Sequence, residues 1–481
     1  MSVKDEIVSE GAPDLRRALG PWHLITLGIG AIIGAGIFVS TGQAAAQFAG
    51  PAVVISFAIA GVGCFLAGLC YAEFSSMIPV AGSAYSYAYA TLGQFFAWII
   101  GWDLILEYLA AGSAVAVGWS GYFNALLAEF GVRLSPAFST APITIDAAHN
   151  MGFSGAIINL PAAILIAGIT ILLVVGIRAS ATFNAVMVVL KLIVVVLVIA
   201  FGLFYVRAEN LTPFIPENTG TFGQFGWSGI LRASGVIFFA YIGFDAVSVA
   251  AQEAINPQRN MPIGILGSLL ICTVLYMLMS FVITGLAPYQ SLNVPNPVSV
   301  AVSGAGTALV WLRPLVNIGA TIGLGTVVLV LLLGQTRIFY AMSRDGMLPP
   351  FFSRVHPKFR TPYLGTMVTG TCAALLSAFL PHDLLIELVS IGTLAAFVIV
   401  CIGIIVLRYT APKAHRPFRT PFVPWVPLGG VAVCGAMMMG LPLATWIRLV
   451  VWLFVGLVVY ATYSARRARP PQWVIANSPA E

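Results

Sequence analysis

Charge is what this sequence has least of. Only 8% of its 481 residues are Asp, Glu, Lys or Arg, against about a quarter in an average soluble domain. A chain of this length folded in water must cover a wide surface with polar side chains. Here 59% of residues are hydrophobic and the mean hydropathy is +0.96. That excludes a soluble enzyme, a nucleic-acid binder and a disordered chain. The six cysteines lie inside apolar runs and form no CxxC pair, so they read as small buried hydrophobes rather than a disulfide or metal framework. The five histidines are scattered without metal-ligand spacing, so neither a metal nor a cofactor is expected. No Walker-type phosphate loop occurs, which removes ATP-driven pumping. No nucleophile with a base at workable spacing occurs, so the chain does not read as an enzyme. The N-terminus is polar and acidic, and no cleavable signal peptide is expected.

What is present is a series of long apolar runs. A membrane helix needs about 20 mostly apolar residues, and twelve runs qualify. They lie near 22–47, 51–78, 92–117, 155–176, 183–206, 228–251, 262–286, 308–341, 362–380, 384–407, 422–440 and 445–463. The fold class expected is therefore an all-α polytopic membrane protein with 12 transmembrane helices. An even number puts both termini on one side. Seventeen of the 23 basic residues fall on that side, and five (Arg133, Arg207, Arg232, Arg313 and Arg448) on the other, with Lys191 inside a span. By the positive-inside rule both termini are cytoplasmic, and the net charge of +6 needs no nucleic-acid partner. Two external loops, roughly 118–154 and 207–227, are long. The expected organisation is a cytoplasmic segment 1–21, a ten-helix core 22–407, a Pro-rich cytoplasmic linker 408–421, two accessory helices within 422–463 and a cytoplasmic tail 464–481.

Two spans carry interruptions. The first contains GIGAIIGAGIF, Gly28 to Phe38, with four glycines in eleven residues. Each glycine costs roughly 1 kcal/mol relative to alanine in a helix. Small residues also serve close helix packing, but these four crowd both faces, which a break explains and one packing face does not. The sixth span, VIFFAYIGFDAVSVAAQE, has Gly243 in its middle followed by Asp245. Spans five apart run in opposite directions, so the two interruptions sit at matching places in halves of opposite orientation (about 22–206 and 228–407). That is the pattern of an inverted-repeat transporter. Freed N–H groups at such breaks can bind a carboxylate, and freed carbonyls an ammonium. A substrate bearing both is an amino acid.

Charges inside the membrane are costly and face protein or water. Lys191 lies about nine residues into the fifth span, some 13 Å along it at about 1.5 Å per residue. It reads as a proton-carrying amine beside the broken first span, or as a fixed cation pinning two helices. Asp103 and Glu107, at i and i+4 in the third span, share a face. Glu107, the deeper, suits a proton relay or an interhelical hydrogen bond. Asp103 and Asp245 are candidates for side-chain selectivity or gating. Glu73 and Glu253, at span ends, suit structural or gating roles.

GIGAIIGAGIF resembles the first span of the amino acid–polyamine–organocation superfamily. Three longer stretches resemble its cationic amino acid transporter branch and that branch's prokaryotic relatives: YIGFDAVSVAAQEAINPQRNMPIGILGSL (241–269), RIFYAMSRDGMLPPFFSRVHPKFRTPYLGT (337–366) and HRPFRTPFVPWVPLGG (415–430). The resemblance runs from about Leu15 to Tyr463. It implies a LeuT-type fold, in which spans 1–5 and 6–10 are inverted repeats, plus two extra helices. By that similarity a substrate carboxylate would meet backbone N–H groups at Gly34, Ala35 and Gly36. Its ammonium would meet carbonyls at Ile32, Phe239, Ala240 and Ile242. Lys191 matches the span-five lysine of the proton-coupled members, which occupies the place where sodium-coupled relatives hold an ion. Ala35 departs from the hydroxyl residue that some relatives carry, so a side-chain contact is lost there.

The expected function is secondary active uptake of small neutral or cationic L-amino acids, coupled to protons, by alternating access. A proton-independent cationic facilitator or exchanger is the competing reading. A channel should show a polar ring or a repeated filter, which is not apparent. The expected partners are the amino acid, protons and the lipid bilayer, with a small membrane subunit left open. The expected location is a plasma membrane, a bacterial inner membrane given the compact chain.

Overall fold

The computed structural model describes residues 19–77, 85, 88–89, 93–145, 151–176, 181–244, 247 and 254–468. Nearly all of this is helical. In chain order the main helices are α1 (Pro21–Ile32), α2 (Val53–Met77), α3 (Gln94–Glu129), α4 (Leu160–Val175), α5 (Ala181–Gly202) and α6 (Gly226–Ile237). They continue with α7 (Pro257–Leu286), α8 (Leu312–Arg344), α9 (Tyr363–Phe379), α10 (His382–Thr410), α11 (Trp425–Gly440) and α12 (Leu443–Val459). A separate helical stretch, wound partly as π-helix, runs from Gly36 to Ala49 between α1 and α2. Among the described residues, seven helical stretches are long and apolar enough to cross a membrane, with Gly36–Met77 counted as one. Four shorter apolar helices accompany them, α1, α4, α9 and α11.

The outward faces fit a lipid environment. Ile164 and Ile171 on α4, Val189 and Ile193 on α5, Leu270 and Val274 on α7, and Val450 and Phe454 on α12 are all exposed. Backbone groups in such surroundings must be satisfied within the segment, which helices achieve. α3 packs against both α8 and α10, while α7 packs on α2 and α1, and α9 on α4. α12 is fastened to α3 by a stack of Trp98, Trp102 and Trp452, with ring centroids 5.5 and 4.6 Å apart. Their indole N–H groups donate to backbone carbonyls, Trp98 to Gly456 at 2.9 Å and Trp102 to Trp452 at 2.8 Å.

Three expectations change. α3 continues to Glu129 instead of ending near 117, because the Trp-, Tyr- and Leu-bearing stretch after Val117 stays helical. It stops where Gly131 takes a positive φ of 79°. The loop that follows carries a two-stranded antiparallel hairpin, β1 (Ile143–Ile145) with β2 (Met151–Phe153). Cys372 is exposed on α9, whereas the other five cysteines are buried.

The Pro-rich linker after α10 is folded back on the core. Glu73, fully buried at the end of α2, accepts from Arg408 at 2.8 Å, lies 3.1 Å from the Arg416 guanidinium, and accepts from the Thr420 backbone N–H at 2.7 Å. Removing one member of a buried charge cluster strands the others, at a cost of about 3–5 kcal/mol. Glu73→Ala should therefore lower the melting temperature of the purified protein sharply. An unchanged melting curve would mean that this carboxylate does not hold the linker.

Candidate functional site

α1 ends at Ile32. Its C-cap, Ile33, is extended (ψ 102°), and helix resumes at Gly36. α6 tightens into a 3-10 turn over Phe238–Tyr241, after which Ile242 is extended (ψ 139°) and Gly243 adopts φ 112°. Both interruptions therefore exist, and they meet. A Cβ placed on Gly36 would lie 2.2 Å from the Cβ of Ala240 and 2.3 Å from its Cα. A Cβ on Gly243 would lie 2.8 Å from the Ala31 carbonyl oxygen. Only glycine permits that approach at either point, and Gly243 also needs its positive φ.

The freed carbonyls at the end of α1 are taken by side chains. The Lys191 ammonium, on α5 and 1% exposed, donates to the carbonyls of Gly30 and, at 2.8 Å, of Ile33. It sits at the negative end of the α1 dipole, where a cation is favoured. Gly30 makes this reach possible, since a Cβ there would lie 2.4 Å from Val188, one turn before Lys191. α8 closes the other side, with Gly323 facing the Lys191 stem.

The Tyr276 hydroxyl, on α7, lies 2.8 Å from the Ile32 carbonyl and 2.7 Å from that of Ala240. It thus bridges the two breaks. One hydroxyl proton serves two acceptors, so these carbonyls retain capacity for a further donor such as an ammonium. Sequence reasoning missed Tyr276. The available signal was a phenol inside an otherwise apolar stretch, since a buried tyrosine O–H needs a partner.

The remaining expected residues divide. Ile32, Phe239 and Ala240 are buried around the meeting point, with Ile242 partly buried beside them. Gly34, Ala35 and Gly36 open the second half-helix, where the first N–H groups lack intrahelical partners. Gly34 has the most room of the break glycines. A Cβ there meets Val327 only at 3.4 Å, an ordinary contact. Glu107 is buried on α3 and engaged by a neighbour. Asp103, 4% exposed, packs against Gly392 of α10, and neither of its carboxylate oxygens has a hydrogen-bond partner. Asp245 and Glu253 lie outside the described residues.

Residues 19–465 match the amino acid permease family. The chain is 47% identical over 454 residues to the methylthioribose transporter of Bacillus subtilis (strain 168), covering 94% of this chain and 95% of that protein. It is 46% identical over 470 residues to the branched-chain amino acid permease BcaP of the same organism, covering 97% of each. It is 42% identical over 408 residues to the vacuolar cationic amino acid transporter 4 of Arabidopsis thaliana, covering 84% of this chain and 66% of that protein. The chain belongs to the amino acid permease family, whose members here are transporters rather than enzymes.

The glycine geometry yields a paired test. Gly36→Ala should lower both the melting temperature and transport, because the added methyl meets the Ala240 backbone. Gly34→Ala should leave the melting temperature within about 1 °C. Tyr276→Phe leaves two buried carbonyls short of a donor and should destabilise by about 1–3 kcal/mol. Equal melting temperatures across all three would dismiss the close meeting of the two breaks.

Proposed function

We propose that this member of the amino acid permease family takes up L-amino acids by proton-coupled alternating access. The observation that carries the reading is the meeting of two interrupted helices, with Lys191 and Tyr276 on their freed carbonyls. A carboxylate is bound by the N–H groups of Gly34, Ala35 and Gly36, at the positive end of the second half-helix. The ammonium joins Tyr276 at the Ile32 and Ala240 carbonyls, with those of Phe239 and Ile242 completing its shell. Two carbonyls short of donors and one row of N–H groups suit the two ends of an α-amino acid.

Lys191 is the proton site in this reading. Loss of its proton turns three donors into two and removes the charge that holds α5 to the end of α1. Release of that contact loosens α1 from α5, which couples the proton to the opening of the site. Glu107 serves as relay, and Asp103 and Asp245 tune the side-chain pocket or the gate. The arrangement proposed is twelve spans, a LeuT-type pair of inverted repeats (22–206 and 228–407) and two accessory helices, with both termini cytoplasmic in a bacterial plasma membrane.

BcaP is named for branched-chain amino acids, and the apolar side chains around the breaks favour a neutral substrate. A second reading, a proton-independent facilitator or exchanger of cationic amino acids, draws on the engagement of Lys191 by two backbone carbonyls. In that case the lysine is a fixed clamp.

Proteoliposome uptake separates them. Radiolabelled leucine, alanine and arginine are compared with and without an inward proton gradient, with methylthioribose as competitor. Gradient-driven accumulation of leucine or alanine is expected, falling at least tenfold in Lys191→Met while exchange persists. Wild-type accumulation by Lys191→Met would overturn the proton role. Inhibition by methylthioribose with no amino acid uptake would overturn the substrate class.

A further inference from the structure

One helical turn outward from the meeting of the breaks lies a cavity of about 360 Å³. Sites for small molecules span about 300–1,000 Å³. It is bounded by the Gly36–Ala49 half-helix, α6, the start of α10 and connecting segments that contribute Ile145, Gln224 and Asn293. Ser40, Gln43 and Gln47 line it from one face of the half-helix, at i, i+3 and i+7. Ser40 is four residues beyond Gly36, and Val236, on the opposite wall, is four before Ala240. The cavity is thus offset by about 6 Å from the close approach.

Its wall carries both signs of charge. Arg232, 5% exposed, lies with its guanidinium 4.6 Å from the centre of the Phe48 ring and faces Glu387. Glu387 is also tied to α12, accepting from Thr445 at 2.7 Å and Arg448 at 3.3 Å. Asp383 accepts from the Gln47 amide at 3.0 Å, and that amide also donates to Asn293 at 2.9 Å. Beside these groups, two lining atoms are buried without a hydrogen-bond partner: the Ser40 hydroxyl oxygen, in a residue 1% exposed, and the Gln43 carbonyl oxygen. A buried polar atom left unmet is costly, so native structures keep few without a purpose.

We propose that this cavity is a second, outer binding site for a zwitterionic α-amino acid, distinct from the site at the breaks. Arg232 and the Ser40 hydroxyl donate to the carboxylate. Asp383 and the Gln43 carbonyl oxygen accept from the ammonium. Phe48, Val236 and Leu384 receive a neutral side chain. Substrate held here is poised one turn from the inner site, and Gln47 closes over it by joining the half-helix to Asp383 and Asn293. The inference rests on the amino acid reading above.

The test is binding stoichiometry by equilibrium dialysis on the full chain in lipid nanodiscs, using each radiolabelled proteinogenic L-amino acid. The wild type should bind two molecules of its tightest ligand per chain. Arg232→Gln and, independently, Gln43→Met should leave one, with outer affinity weakened about 10- to 100-fold and inner affinity unchanged. Gly34→Val should leave one by removing the inner site. Gln43→Met keeps every charge, so it reports even if the arginine variant fails to fold. One molecule per chain, lost in Gly34→Val and insensitive to Gln43→Met, would overturn the outer site and leave the transport reading standing. No binding by any amino acid to the wild type would overturn both.

Discussion

The structure depends on how the carbonyls at the end of α1 are satisfied. A helix that stops inside a membrane exposes backbone acceptors where no water is available to meet them, at several kcal/mol each. Here Lys191 supplies one ammonium to Gly30 and Ile33, and Tyr276 one hydroxyl to Ile32 and, across the gap, to Ala240. The break is thus held open by two side chains from α5 and α7. The same bonds solve the lysine's own problem. A buried ammonium needs acceptors, and three donors facing the negative end of a half-helix meet them without a carboxylate.

The glycines make this geometry reachable. Gly30 lets α5 close in, so that the Lys191 stem spans the remaining distance. Gly36 and Gly243 let the two broken segments touch backbone to backbone. Gly34 differs, because a Cβ there would meet Val327 only in ordinary contact at 3.4 Å. The packing is therefore tightest at Gly36 and Gly243 and ordinary at Gly34.

Away from the break, two buried acids are held by arginine. Glu73 meets Arg408 and Arg416 where the linker folds back, and Glu387 meets Arg448 beside the cavity lined by Ser40 and Gln43. Asp103 is buried without such a partner, lying against Gly392 with both carboxylate oxygens free of hydrogen bonds. Between these ends, α3 packs against both α8 and α10, and the tryptophan stack carries α12 against α3.

The sequence by itself determined the solvent, the helical class and the breaks. The scarcity of charge excludes water as the surrounding medium, run length defines helices, and four crowded glycines weaken one helix wherever it packs. These are local properties, legible in GIGAIIGAGIF and in the lone Lys191. Whether Lys191 meets a carboxylate or a carbonyl was decided by the tertiary structure, because the choice depends on which helix face lies within a side chain's length. So were Tyr276, whose partners are 244 and 36 residues away, the extension of α3 to Glu129, and the outer cavity. Its walls come from five separate parts of the chain, and no spacing along the sequence encodes a distance between segments that only packing brings together.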